Sequence, residues 1–313
     1  MAYLFLGINL FMKFIQTFFN KKTSDSLSGT AAYLAYGAYR YIFCALLALA
    51  LVAFSGGASA SYTPMAFFSS GLAAAALAVN LICTLEAMKS GAIVLCTLVG
   101  GAGLLLPCIA GILWFGEPMS VWQFAGIALL FVSAYLLAGY SKELYTKFSF
   151  KTLLLLVGSM LSNGLIMVAQ KLFSLYVEGG SASVFSMLMF AMAAACYIVG
   201  LLAYLAHERG QNSQHNQSSS RVRSDTASIR RKPLTPTLLG YGAILSVALL
   251  AINQLSTELG RMLPSAILFS VNDGGGTIIS AVTAAIFFRE KLTPRALAGI
   301  GIGISALLVI NFF

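Results

Sequence analysis

The sequence predicts an all-α polytopic membrane protein, with ten transmembrane helices arranged as two inverted five-helix repeats. Three observations carry that expectation. Of 313 residues, 59% are hydrophobic and only 9% charged, whereas soluble globular chains carry about 25% charge. The apolar runs are continuous over about twenty residues, the length of a helix that crosses a bilayer core. A segment also occurs twice: EPMSVWQFAG at 117–126 and EKLTPRALAG at 290–299 lie 173 residues apart, the difference between 117 and 290. The same offset pairs Asn80 with Asn253, Thr84 with Thr257 and Gly101 with Gly274. Barrel strands alternate apolar and polar over about ten residues, so continuous runs of this length exclude a β-barrel.

The first span covers 1–19. Asn9 and Lys13 interrupt its core, no basic region precedes it, and no small-residue cleavage site stands before Lys21-Lys22, so it is not a signal peptide. Spans follow at 31–54, 65–88, 91–115 (kinked by Pro107) and 121–140, which completes a first repeat, 1–146. The second repeat, 147–313, holds spans at 152–176, 182–206, 237–259, 263–288 and 294–313. Its one long polar break is the loop 207–236, rich in Ser, Gln and Arg. That composition suits a solvated linker whose charge sets topology.

One Glu copy follows span four and the other span nine, so an odd number of crossings separates them and the halves point in opposite directions. Loops after odd-numbered spans carry fifteen cations: Lys21, Lys22, Lys89, Lys142, Lys147, Lys151, Arg209, Arg221, Arg223, Arg230, Arg231, Lys232, Arg289, Lys291 and Arg295. Loops after even-numbered spans carry only Arg261. By the positive-inside rule the basic face is cytoplasmic and both termini lie outside the cytoplasm. An inverted five-plus-five plan is common among secondary transporters, which place their substrate near the midplane between halves.

Ionisable groups inside a membrane are costly and mark a pathway or a buried pair. Asp273 lies nearest mid-membrane and opens the run DGGGT. Its carboxylate suits a cationic group or a proton, or equally an ion pair with Arg40 or Lys13. Arg40 sits among Tyr36, Tyr39 and Tyr41. It suits an anionic or aromatic substrate, or else anchors by snorkelling to the basic face. Lys13 carries the same two readings, and Lys171 is expected to snorkel. Asn9, Asn80, Asn163, Asn253 and Gln254 suit supporting contacts to substrate, although such amides also cross-link helices. Adjacent Asn253 and Gln254 cannot share one narrow face, so one of them faces a wet cavity.

Glu117 and Glu290, with Gly126 and Gly299, mark the repeat and are expected to brace helix junctions. The five cysteines, Cys44, Cys83, Cys96, Cys108 and Cys196, fit neither a metal site nor a redox pair. No cofactor or metal is expected. Both histidines lie in the polar loop and no catalytic motif appears, which argues against an intramembrane enzyme. Nucleic acid is not implied, because the cations flank membrane spans. A receptor or scaffold remains a rival reading.

The Glu copies with their upstream runs, Phe115 to Glu117 with Gly126 and Phe287-Phe288-Arg289-Glu290 with Gly299, resemble the drug/metabolite transporter superfamily, in particular EamA-like transporters. The stretch 267–311 matches most closely, and GINLFMK at 7–13 is similar to the family's first span. The resemblance implies ten helices around a central cavity lined by spans 1, 3, 4, 6, 8 and 9, and alternating access without catalysis. Its partners are a small polar or amphipathic metabolite, the lipid bilayer and, as an option, a second copy of the chain. Proton coupling rests on Asp273 alone. The expected location is a bacterial cytoplasmic membrane. Two features depart from the family: its members keep both termini in the cytoplasm, and Ser270 stands where relatives carry proline.

Overall fold

The computed structural model describes residues 2–54, 62–89, 99–138, 150–218, 235–287 and 293–312. All regular structure among them is helical. In chain order the helices are α1 (Ala2–Ser26), α2 (Thr30–Phe54), α3 (Pro64–Lys89), α4 (Val99–Leu113), α5 (Val121–Ala138), α6 (Phe150–Tyr176), α7 (Ala182–Ser218), α8 (Pro236–Met262), α9 (Ser265–Phe269, Ser270–Gly274 and Gly275–Phe287 in succession) and α10 (Pro294–Phe312). Six of these, α1, α2, α3, α6, α7 and α8, are long and apolar enough to cross a membrane. The protein is a multi-pass integral membrane protein.

Its surface is the reverse of a soluble protein's. Phe54, Leu113, Trp114 and Val121 are largely exposed, while Asn9, Arg40, Lys171, Asn253 and Asp273 are buried. Lipid solvates the apolar exterior, so each polar group inside must find a partner inside.

Local chemistry sets the helix ends. Thr63 Oγ1 accepts from the Ala66 N–H, Thr235 Oγ1 from Leu238 and Thr293 Oγ1 from Ala296, each satisfying one of the unpaired donors of a first turn. Ser120 and Gln123 form a reciprocal capping box at the start of α5, with bonds of 3.1 and 3.2 Å. Gly29 turns the chain between α1 and α2 at φ 88°, and Gly116 turns it after α4 at φ 62°, a region costly for residues with a Cβ. Within α9 the five residues Ser270–Gly274 form a wider, π-type turn, a distortion found often where a helix carries function.

The tertiary contacts run mainly between the first five helices and the last five. The most extensive pairs are α2 with α7, α5 with α10, and α3 with α6. Helix α1 lies on α8 and α9, α4 lies on α6, α3 also touches α7, and α2 touches α8. Small residues permit two of these crossings. A Cβ on Gly103 or Gly164 would strike the backbone of the other helix, so α4 and α6 pass at backbone contact. Gly126 of α5 likewise faces Ile310 and Ala306 of α10.

Candidate functional site

Midway along α1, Lys13 Nζ lies 2.5 Å from Asp273 Oδ1 in the wide turn of α9. The other carboxylate oxygen, Oδ2, accepts from Asn163 Nδ2 of α6 at 2.9 Å, and the same amide donates to the Gly100 carbonyl at 3.1 Å. Three helices and the start of α4 therefore converge on one carboxylate. Gly276 makes room for this: a Cβ there would lie 3.1 Å from Lys13 Cδ.

The pair stands at the inner end of a polar cleft of about 650 Å³. From Asp273 the cleft passes Asn80, Thr84 and Ser159 and reaches Asn20 and Met88. The Met88 carbonyl accepts from Lys21, so the cleft leads toward the end of the bundle that carries Lys21 and Lys22. Asp273 is sealed from solvent at 3% side-chain exposure, whereas Lys13 keeps 19%. Asp273 Oδ1 is the acceptor Lys13 uses, although an ammonium has three donors.

A second cleft, of about 310 Å³, shares Gln16, Asn20, Asn80 and Thr84 with the first and is closed at its far side by Arg40 and Tyr41. Arg40 is 2% exposed. Of its two readings, snorkelling to the basic face is therefore corrected, because α2 packs against α7 and α8 and encloses the side chain.

At the opposite end of the bundle Lys171 Nζ lies 2.6 Å from Glu117 Oε1 and also donates to the carbonyls of Gly260 and Leu263, at 2.8 and 2.9 Å. Glu117 Oε2 accepts from the Ser265 N–H at 2.8 Å. One ion pair thus caps the end of α8 and the start of α9 and ties both to α6. Lys171 is also a correction: it is buried, because full satisfaction inside competes successfully with a reach to the interface. Burial alone pushes the Glu117 carboxyl up. The hydrogen bonds from Lys171 and Ser265, with the Lys171 charge, outweigh that and hold it below its ordinary value.

The remaining amides are placed as follows. Asn9 donates to Ser256 Oγ at 2.9 Å, joining α1 to α8, and Asn272 donates to the same hydroxyl at 3.1 Å. Asn80 donates to the Ser159 carbonyl and to Ser162 Oγ on α6, both at 3.2 Å. Asn253 accepts from Gln170 at 2.6 Å and is buried, whereas Gln254 donates to Ser183 on α7 at 3.0 Å. Neither lines the two clefts. Asn80, Asn163, Lys13 and Asp273 line the larger cleft, and Arg40 the smaller. The Gly299 carbonyl accepts from Ser133 at 2.6 Å, binding α5 to α10. Glu290, Cys96 and residues 219–234 lie outside the described residues, and the expected loop 207–236 is corrected at its start, where 207–218 continue α7.

Sequence reading missed several members. Thr17 and Ser280 pair across the larger cleft at 3.1 Å, and Ser256 joins two amides. The Glu117–Lys171 pair had a readable signal: counting spans puts the end of the fourth and the end of the sixth at one face.

No protein-family model matches the chain. Among characterised proteins it is 30% identical over 82 residues to "Multidrug resistance protein EbrA" of Bacillus licheniformis, covering 26% of this chain and 70% of that protein. It is also 30% identical over 82 residues to "Multidrug transporter PA4990" of Pseudomonas aeruginosa, covering 26% and 69% respectively. The chain belongs to the transporter family of these proteins. In three dimensions this transporter matches a solved crystal structure with a TM-score of 0.65, over 99% of its own length and 97% of the other chain, at 13% identity. That likeness shows a shared fold and nothing of substrate.

Proposed function

We propose that the chain is a secondary transporter of the drug/metabolite superfamily, EamA-like, that moves a small polar or amphipathic metabolite by alternating access. Its ten helices form two inverted repeats, 1–146 and 147–313. The contact pattern supports this: exchanging each helix with the one five places later converts α3–α6 into α8–α1, α4–α6 into α9–α1, and α3–α7 into α8–α2, all of them observed. Pairs α2–α7 and α5–α10 map onto themselves, as a pseudo-two-fold axis requires. The relatives' size points the same way. A match of 82 residues spanning 70% of a relative makes that protein about 117 residues long (82/0.70), less than half of this chain's 313.

The observation that carries the functional reading is the Lys13–Asp273 pair in a polar cleft that extends toward the end of the bundle carrying Lys21. With the basic face cytoplasmic, the cleft faces the cytoplasm and the Glu117–Lys171 pair closes the outer end. Transport then requires the outer pair to part as the halves rock. Asp273, Lys13, Asn163 and Asn80 contact substrate or a coupling proton and Arg40 adds a second contact, while Asn9, Asn253 and Gln254 hold the helices around them. The test is counterflow in proteoliposomes, with metabolites first selected by thermal shift. Unmodified solute accumulates with the wild type, and Asp273→Asn abolishes it. Accumulation by Asp273→Asn at the wild-type rate and pH dependence removes Asp273 from the mechanism. A C-terminal reporter active only in the cytoplasm should be silent if the orientation is right.

A further inference from the structure

We infer that Arg40 forms an anion subsite, and that the metabolite is an organic monoanion held by its carboxylate. This rests on the transporter reading above and narrows it to a substrate class. Arg40 stands near the middle of α2, 2% exposed. Its side chain makes one hydrogen bond, from Nη1 to Asn20 Oδ1 at 3.4 Å, and its Nε is buried with no partner. Among the described residues no carboxylate lies within ion-pair distance of it; the acidic partners of Lys13, Lys21, Lys151, Lys171 and Arg261 are all elsewhere. The neighbouring hydroxyls are committed, Tyr41 to the Leu77 carbonyl and Tyr36 to Thr23.

A buried lysine in this position could lose its proton. A guanidinium cannot, and of the partners a cleft can hold only an anion supplies the missing counter-charge. The fork of N–H donors matches a carboxylate in bidentate geometry, and it borders a cleft of about 310 Å³ that shares Asn20, Asn80 and Thr84 as lining with the cleft at Lys13–Asp273. Charge balance selects the anion. With Lys13 and Asp273 paired, the lining of the two neighbouring clefts carries one net positive charge, which a monoanion neutralises. A phosphate monoester, at about −1.5 to −2 near neutral pH, would leave them negative. The body of the substrate lies along the amide and hydroxyl wall toward Asp273.

The test uses the purified full-length chain in detergent, with acetate as probe, acetamide as its neutral counterpart and chloride as the ionic-strength control. Acetate should raise the unfolding temperature of the wild type saturably, and acetamide and chloride should not. Arg40→Gln should unfold at or above the wild-type temperature without acetate, because it removes an unpaired buried charge, and should lose the acetate shift. Arg40→Lys, which keeps charge without the fork, should show a weakened shift, and Arg261→Gln, outside both clefts, should retain it. An absent wild-type shift, an equal shift with acetamide or chloride, a shift retained in Arg40→Gln, or Arg40→Gln unfolding several degrees early overturns the proposal. The underlying transporter reading fails separately. Acetate binding through Arg40 with no solute moved in proteoliposomes overturns transport and leaves the anion site standing, whereas counterflow by Arg40→Gln at the wild-type rate overturns the anion site alone.

Discussion

Lys13 and Lys171 are both cations inside the bundle paired to a carboxylate, and both sit on a helix that opens one of the two proposed repeats. Their surroundings differ. Lys171 is 3% exposed and spends its three donors on Glu117, Gly260 and Leu263. Lys13 is 19% exposed, uses Asp273 as acceptor and borders a cleft. A fully satisfied ion pair locks the elements it joins, whereas a partly satisfied one beside a polar space retains donors for a solute. On the proposed transporter reading, the Lys171 end serves closure and the Lys13 centre serves exchange.

The largest expected effect tests the closed end. Lys171→Met leaves Glu117 without its counter-charge and two helix-end carbonyls uncapped, and should destabilise the protein by about 3–5 kcal/mol in detergent unfolding. At the centre Asp273→Asn should cost about 1–2 kcal/mol, since Lys13 can turn to cleft water, while counterflow is lost. Equal destabilisation by the two variants would dissolve the distinction between lock and exchange site.

Acid separates the two pairs further. The folded Glu117 carboxyl titrates below its ordinary value. The stability it adds is therefore fully present above the unfolded pKa and is lost as pH falls through the folded pKa. Thermal unfolding of Glu117→Gln should lack that acid limb, and the wild type should show it. The smallest effect concerns Gly276, where a methyl would press on Lys13 Cδ at 3.1 Å. Because that side chain is flexible, Gly276→Ala should cost less than about 1 kcal/mol, yet it should slow counterflow by displacing the ammonium from Asp273.

Much of this was readable before any coordinates. The apolar runs marked the helices because a chain in lipid must satisfy its backbone within each segment. The repeated Glu segments turned out to contain helix caps: Ser120 and Thr293, 173 residues apart, each begin the helix after a copy. Asp273 stood out by depth and by its glycines. Its partner did not, since Arg40 and Lys13 were equal candidates on separation alone. Lys171 was expected at the interface, and Arg40 either there or at a substrate, because an isolated helix lets long cations snorkel, and neighbouring helices remove that freedom.

Composition and the length of the apolar runs by themselves determined that this is a multi-pass helical membrane protein, because that property follows from solvation of each segment taken singly. Only the tertiary structure decided which charge meets which. Lys13 finds Asp273 across 260 positions, Lys171 finds Glu117 across 54, and Arg40 is left facing a cleft. The reason is geometric: electrostatic pairing in a low-dielectric interior depends on distances of a few ångströms, and helix packing alone sets those.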